Sequence, residues 1–309
     1  MAEALTNHAG LLTAFGGILR CPICQTELEV QERLVCKRGH AFPIDDGIPM
    51  LLGPESVDEE AQHSHQRSHY DQEFSAYRSY RLDHWQSVYV NRVTMMWPTS
   101  GLPGLYLDVG AGGNGYTVIE AARRGALAIG CDISLASMKA ARRLADAEGV
   151  GERCLFVLCG SERLPFADGT FAATAAIAVL EHVPDDARAI SEIARVTRRD
   201  GQVFVALPNS LDRMPRLLRA LYARHDRHVG HLRHYSASTL IALGSGAGLK
   251  TQRVAYSAHW PKVWQLFVHL TAKLIRVDDR RLWWWLERLD ERKASADTGM
   301  HLNVWFVRS

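Results

Sequence analysis

From Leu105 onward the chain sets apolar runs against helical stretches. The runs are LYLDVG, ALAIGCDI, CLFVLCG, FAATAAIAVL and GQVFVALPN, with helices expected at about 115–124, 134–148 and 184–199 between them. Continuous apolar runs belong to strands covered on both faces, and strands separated by helices pair in parallel. The expected fold class is α/β, a mainly parallel sheet with helices on both sides. A chain of 309 residues has room for one large domain of this kind and a smaller appendage.

LDVGAGGNGYT reads as a strand that ends in a glycine-rich turn and opens a helix. Gly110 and Gly112 let a ligand approach the backbone at the carboxyl edge of the sheet, where open α/β sheets bind cofactors. The Gly110, Gly112, Gly115 spacing by itself suits a dinucleotide equally well, and Asp132 after the second run can bind a ribose in either case.

CPICQTELEVQERLVCKRGH, Cys21 to His40, concentrates metal-type ligands in a separate place. Cys21-x2-Cys24 and Cys36-x3-His40 offer three thiolates and one imidazole, a tetrahedral Zn2+ set with no open position and hence structural. Pro22 and Gly39 favour tight turns, and LEVQERLV between the pairs reads as a small hairpin. AFPIDDGIPMLL reads as a last strand and turn, so a ribbon too small for its own core ends near Gly53 before the acidic linker ESVDEEAQ. Cys131, Cys154 and Cys159 stand singly in apolar runs and read as packing residues.

The global charge, 36 basic against 34 acidic residues, exerts no strong pull toward nucleic acid or an anionic membrane. No secretory leader pattern and no apolar stretch of membrane-spanning length occurs, so a cytoplasmic protein without a transmembrane segment is expected.

GSERLPFADGTFAATAAIAVLEHVPDD followed by ISEIARVTRRDGQVFVALPN resembles the class I S-adenosylmethionine-dependent methyltransferases, of the ubiquinone and secondary-metabolite type, most closely over residues 100–210. The resemblance implies a Rossmann-like seven-stranded sheet and S-adenosyl-L-methionine as cofactor. It implies cofactor contacts from Asp108, Gly110, Gly112, Gly115, Asp132, Ile133 and Leu180, and from Ser161 and Glu162 beside Leu164-Pro165-Phe166. Two positions depart from the family pattern. Either Asn114 takes the third-glycine place or the turn is one residue longer and Gly115 fills it; and Gly160 replaces an aspartate that often accepts from the adenine amine, leaving Ser161, Glu162 or backbone for that contact.

Methyl transfer asks the protein to position an acceptor and, where needed, to take its proton. His182, in LEHVPDD after the fourth strand, is the candidate base; the alternative is that Glu181 and His182 shape the turn and cap the next helix. Quinone-pathway relatives with a similar LEH segment bind a divalent cation with an acid three positions before the glutamate; Ala178 stands there, so no catalytic metal is expected. GHLRHYS resembles a pocket-mouth segment of small-molecule methyltransferases and nominates His231, His234 and Tyr235 as catalytic and Arg233 as substrate-binding, joined by Tyr70 in HYDQEF. The surrounding stretch 212–236 holds six arginines and four histidines against two aspartates, either a phosphate-binding stripe or a solvated helix face.

Residues 259–293, with HWPKVWQLFVHLTAKLI and RRLWWWLERLDERK, have helical period and interrupt the sheet before its last strand. They read as core packing, a roof over an apolar acceptor, a homodimer surface or a membrane-interface face. The expected layout is a ribbon over 1–53, a helical linker and lid over 54–100, and a methyltransferase domain over 101–309.

The resemblance extends to large-subunit rRNA guanine methyltransferases, whose Cys3His ribbon precedes a class I domain and helps recognise RNA. Against an RNA-reading role, the ribbon carries Glu27, Glu29, Glu32, Asp45 and Asp46 and no aromatic pair for stacking bases. The preferred expectation is a small-molecule methyltransferase acting on an apolar or phosphorylated metabolite, with RNA as the alternative partner. A non-catalytic cofactor-binding protein is the third reading.

Overall fold

The computed structural model describes residues 11–12, 15–54, 62, 64, 66–68, 79–82, 84–97, 104–210, 212, 219, 229–259 and 294–309. Tyr70, all but His259 of the expected insertion at 259–293, and most of the arginine stretch at 212–228 lie outside the described residues.

The ribbon begins with β1 (Leu28–Val30), β2 (Leu34–Cys36) and β3 (Ala41–Phe42), an antiparallel sheet in that order. Where one last strand was expected, a second hairpin forms from β4 (Ile44–Asp45) and β5 (Ile48–Pro49). Asp46 and Gly47 both have positive φ (51° and 71°), the turn geometry that Asp-Gly favours and that matches strand twist.

Next comes α1 (His84–Thr94), and then the alternating unit begins: β6 (Leu105–Val109), α2 (Tyr116–Arg123), β7 (Leu127–Asp132), α3 (Leu135–Ala147) and β8 (Cys154–Leu158). It continues with β9 (Phe171–Ile177), α4 (Asp186–Val196), β10 (Thr197–Pro208), α5 (Ala237–Gly246), β11 (Leu249–His259) and β12 (Gly299–Arg308). The helix expected to reach 199 ends at Val196. There Thr197 turns its hydroxyl back to the Ile193 carbonyl at 2.7 Å and onto the Thr174 hydroxyl at 2.8 Å.

The seven-stranded sheet has the order β11-β12-β10-β9-β6-β7-β8, with β12 antiparallel to both neighbours. The strand order reverses between β6 and β9, so the crevice for a ligand opens at the carboxyl ends of these two strands. Alternate residues feed two cores. Leu107, Val109, Leu155 and Val157 face α4 and the ribbon, while Tyr106, Phe156 and Leu158 face α2 and α3. Cys131, Cys154 and Cys159 are buried packing residues as expected.

The ribbon shares the first of these cores: Cys21, Leu34, Cys36 and Phe42 pack in one cluster with Leu164 and Phe166. Its backbone also pairs with the domain, through Leu19 with Phe166 and Met50 with Leu158. Among the described residues no helix is long and apolar enough to cross a membrane.

Candidate functional site

The glycine turn hangs on β7: the amides of Gly110 and Ala111 both donate to the Cys131 carbonyl, at 2.8 and 3.0 Å. Gly110 has φ 73°, and a Cβ there would stand 2.4 Å from Val179 Cγ2, so the turn lies directly against the segment after β9. The open question of the third glycine is resolved by Gly115. It is left-handed (φ 50°) at the N-cap of α2, packed so closely on Ala141 and Phe156 that a Cβ would meet them at 3.0 and 3.1 Å, whereas Asn114 is not left-handed. No side chain caps α2, so the positive end of the helix is free of an internal acceptor side chain.

Asp132 closes the turn from β7. One carboxylate oxygen accepts from Gly112 N at 3.1 Å and the other from Ser134 N at 2.9 Å, which fixes the group. Ile133 follows it at the bend. Asp108 is buried beneath the turn; Thr117 donates to Oδ2, Oδ1 has no hydrogen-bond partner, and burial pushes its pKa up to about 7.

Ser161 and Glu162 are buried at the neighbouring edge, the Ser161 hydroxyl donating to Glu162 at 3.0 Å. The segment behind them is clamped from α4. Glu192 accepts from Leu164 N at 2.8 Å, and Arg195 donates to the carbonyls of Leu164 and Phe166 at 2.8 and 2.7 Å.

After β9, Ala178 has φ 55°, a strained value for a residue with a Cβ, and Val179 and Leu180 turn inward. The next helix is capped by Asp185, which accepts from Arg188 N at 2.9 Å; Glu181 and His182 therefore do not cap it. Glu181 is fully buried, neither carboxylate oxygen has a hydrogen-bond partner, and burial pushes its pKa up to about 8. His182 faces His231, with ring centroids 4.8 Å apart, and His231 stands 6.1 Å from His234.

The structure thus brings His182, His231 and His234 together, but it sets two other nominated residues apart. Tyr235 is buried, and its hydroxyl bridges the Leu180 carbonyl (3.1 Å) and Asp186 (2.5 Å); it is a strut between β9 and α4. Arg233 is spent on the carbonyls of Val183 and Pro184, at 2.9 and 3.0 Å, and on Asp186 at 3.2 Å. In GHLRHYS the motif located the loop, but backbone direction decided which side chains point inward.

Two glutamines ahead of the domain escaped the sequence reading. Gln62 donates to the carbonyls of His182 (3.1 Å) and Gly230 (3.3 Å), and Gln66 to Val229 at 3.3 Å, so this segment ties down both histidine-bearing loops. No local motif marks them, because their partners lie more than a hundred residues away.

In the ribbon, the ligand atoms of Cys21, Cys24, Cys36 and His40 lie within 4.8 Å of one another. Individual edges are 3.3 Å (Cys36 to His40 Nδ1), 3.5 Å (Cys21 to His40 Nδ1) and 3.7 Å (Cys24 to Cys36), matching a tetrahedron with metal–sulfur bonds of about 2.3 Å.

Residues 107–205 match the model of a methyltransferase domain family, and residues 17–47 match that of the Trm112p-like proteins. The chain carries a class I methyltransferase domain behind a Trm112p-like ribbon. The methyltransferase domain is similar to the demethylmenaquinone methyltransferase of Corynebacterium kroppenstedtii, 36% identical over 96 residues, which cover 31% of this chain and 38% of that one. The ribbon is similar to a UPF0434 protein of Shewanella sediminis, 49% identical over 39 residues, covering 11% of this chain and 65% of that one.

Matches to curated methyltransferases span between 28% and 51% of those proteins' lengths. Among solved structures, geranyl diphosphate C-methyltransferase from Streptomyces coelicolor shares the fold of the methyltransferase domain. Its TM-score is 0.57 at 13% identity, over 83% of this chain and 100% of that one.

Proposed function

We propose that the chain transfers a methyl group from S-adenosylmethionine to a small-molecule acceptor. The observation that carries this is the strand-order reversal between β6 and β9, where the glycine turn presses on Val179 and the His182 and His231 rings meet just beyond it.

The residues fit the cofactor. The uncapped N-terminus of α2 suits the carboxylate of an amino-acid moiety, and the unpartnered Asp108 Oδ1 suits an ammonium. Asp132, oriented by two amides at the end of β7, suits the ribose hydroxyls, and Ser161 and Glu162 supply polar atoms for the adenine edge. When bound, the cofactor supplies an electrophilic methyl group whose transfer returns an electron pair to sulfur and leaves the acceptor's proton to be taken up.

Val179 and the His182 and His231 rings wall the acceptor side and orient the acceptor for in-line attack. His182, its Nδ1 3.4 Å from the Gly230 carbonyl, is the residue we assign to take up the acceptor's proton. The acceptor class that best suits these walls is the kind named for the relatives, a quinone-like or isoprenoid metabolite.

The ribbon binds zinc and serves as a scaffold. Its apolar side is used up in the core shared with Leu164 and Phe166, next to the segment that bears Ser161 and Glu162.

Calorimetric titration of purified protein with S-adenosylhomocysteine tests the reading. Binding that weakens about tenfold or more in Asp132→Ala supports it; no binding to a folded protein sinks it.

A further inference from the structure

A cavity of about 680 Å³ opens between the Cys21–Cys24 knuckle of the ribbon and α4. This is the size of a small-molecule pocket. Its lining comes from Arg20, Pro22, Ile23 and Gln25 of the ribbon, from the segment after β8, and from one face of α4. Arg188, Glu192 and Arg195 share that face because they recur at helical spacings of four and three. None of the lining residues belongs to the glycine turn or to the loops that bear His182 and His231, so the cavity is separate from the methyl-acceptor side.

The lining carries four arginines and three carboxylates, and most of these are committed to one another or to backbone. Arg195 holds Glu192 through two nitrogens, at 2.7 and 2.8 Å, and Asp168 at 2.7 Å. Glu192 also accepts from Leu164 N, and the buried Glu162 accepts from the Ser161 hydroxyl. Arg20 donates to the carbonyls of Gly17 and Leu19 and stands 3.6 Å from Glu27.

Two cations are left over. Arg163 spends one nitrogen on the Pro22 carbonyl at 3.2 Å and has no other hydrogen-bond or ion-pair partner among the described residues. Its stem is packed into the ribbon: a Cβ on Gly53 would stand 3.0 Å from Arg163 Cδ and 3.5 Å from Pro22. The guanidinium is thereby held at the junction. Arg188 approaches from α4, and among the described residues its side chain has neither a hydrogen bond nor an ion pair. The wall beside them is apolar. Pro22 and Ala167 contribute to it, as does Ile23, a large hydrophobic side chain left 46% exposed in the knuckle.

We propose that this cavity binds a phosphate dianion, free or carried as the monoester of a small apolar metabolite, between Arg163 and Arg188. A guanidinium presents coplanar N–H donors that match phosphate oxygens in pairs, and two of them from different elements balance a dianion. A phosphate by itself fills only part of 680 Å³, and the remaining space beside Ile23 suits an organic body. Since Arg163 is seated in the ribbon and Arg188 on α4, an occupant joins the two modules across their seam. The inference goes beyond methyl transfer and does not depend on it.

The test is calorimetric titration of zinc-replete full-length protein, in a buffer without phosphate, with inorganic phosphate, phenyl phosphate and phenol. The expected result is one equivalent of phenyl phosphate bound at least about fivefold more tightly than inorganic phosphate, with no binding of phenol. Arg188→Ala and Arg163→Ala should each weaken anion binding about tenfold or more, while zinc content and S-adenosylhomocysteine affinity stay at wild-type values in Arg188→Ala. Ile23→Ala should weaken phenyl phosphate and leave inorganic phosphate unchanged.

Equal affinity for the two anions would uphold the site and assign it to free phosphate. Absence of binding by both would overturn the proposal. So would phenol binding as tightly as phenyl phosphate, or anion binding undiminished in Arg188→Ala, which would place the anion elsewhere on the chain. Should Arg163→Ala fail to fold, the exposed Arg188 carries the test.

Discussion

The amide of Leu51 donates to the carbonyl of Leu158 at 2.8 Å, so the chain leaving the ribbon lies along the outer edge of β8, the edge strand of the large sheet. Lys139 on α3 reinforces the contact by an ion pair with Asp45 of the ribbon at 2.8 Å. An edge that would expose unpaired backbone groups is thereby partly covered by the appended module.

Disrupting the ribbon should consequently weaken the whole protein and not only its own few strands. Cys36→Ser is expected to lose one equivalent of zinc and to lower the melting temperature of the single main transition. Metal analysis and calorimetry on the same sample decide it, and unchanged zinc content and melting would refute the ribbon assignment.

Gly110→Ala should be costly twice over. The new Cβ meets Val179 Cγ2 at 2.4 Å, and the left-handed backbone strains any residue with a side chain. A loss of about 2 kcal/mol in stability by urea unfolding is expected, with cofactor-homologue affinity reduced about tenfold or more. Wild-type affinity in this variant would show that the turn is not the cofactor seat.

Tyr235→Phe separates a strut from a catalytic group. Removing the hydroxyl that joins Leu180 to Asp186 should cost about 1–3 kcal/mol of stability and leave homologue affinity within about twofold of wild type. A stable variant that has lost turnover would restore Tyr235 to the catalytic set.

Asp108 makes stability depend on pH. Its folded-state pKa is raised by burial from the usual carboxylate range to about 7. Between those values the folded protein binds more protons than the unfolded chain, so this group's stabilising share is complete at low pH and is lost as pH rises toward 7. The slope is up to about 1.4 kcal/mol per pH unit, and Asp108→Asn should abolish it. Urea unfolding of both proteins at pH 5 and pH 7 checks the sign; a gap that moves the other way would mean the carboxylate is ionised and paired when folded.

The mainly parallel sheet and its glycine turn could be read from sequence because buried parallel strands are written as continuous apolar runs and a tight turn demands glycine. The clustering of Cys21, Cys24, Cys36 and His40 could be read for a similar reason, since both pairs are local. The meeting of His182 with His231 could not, because it depends on how the loop before α5 is sewn to the end of β9. The burial of Tyr235 was hidden on the same grounds: a segment likeness placed it near the site without saying that its ring turns into the core.

The antiparallel strand β12 separates β10 from β11, and both have it as a neighbour. On the ribosome, β11 emerges before the strand it must pair with, and β10 waits about ninety residues for its outer partner. Until residues 299–308 appear, β10 is left as an open edge and β11 has no strand to join it to the sheet. The strand that locks the sheet is therefore the last of the seven to be made, and a growing chain is most exposed to mispairing just before it arrives.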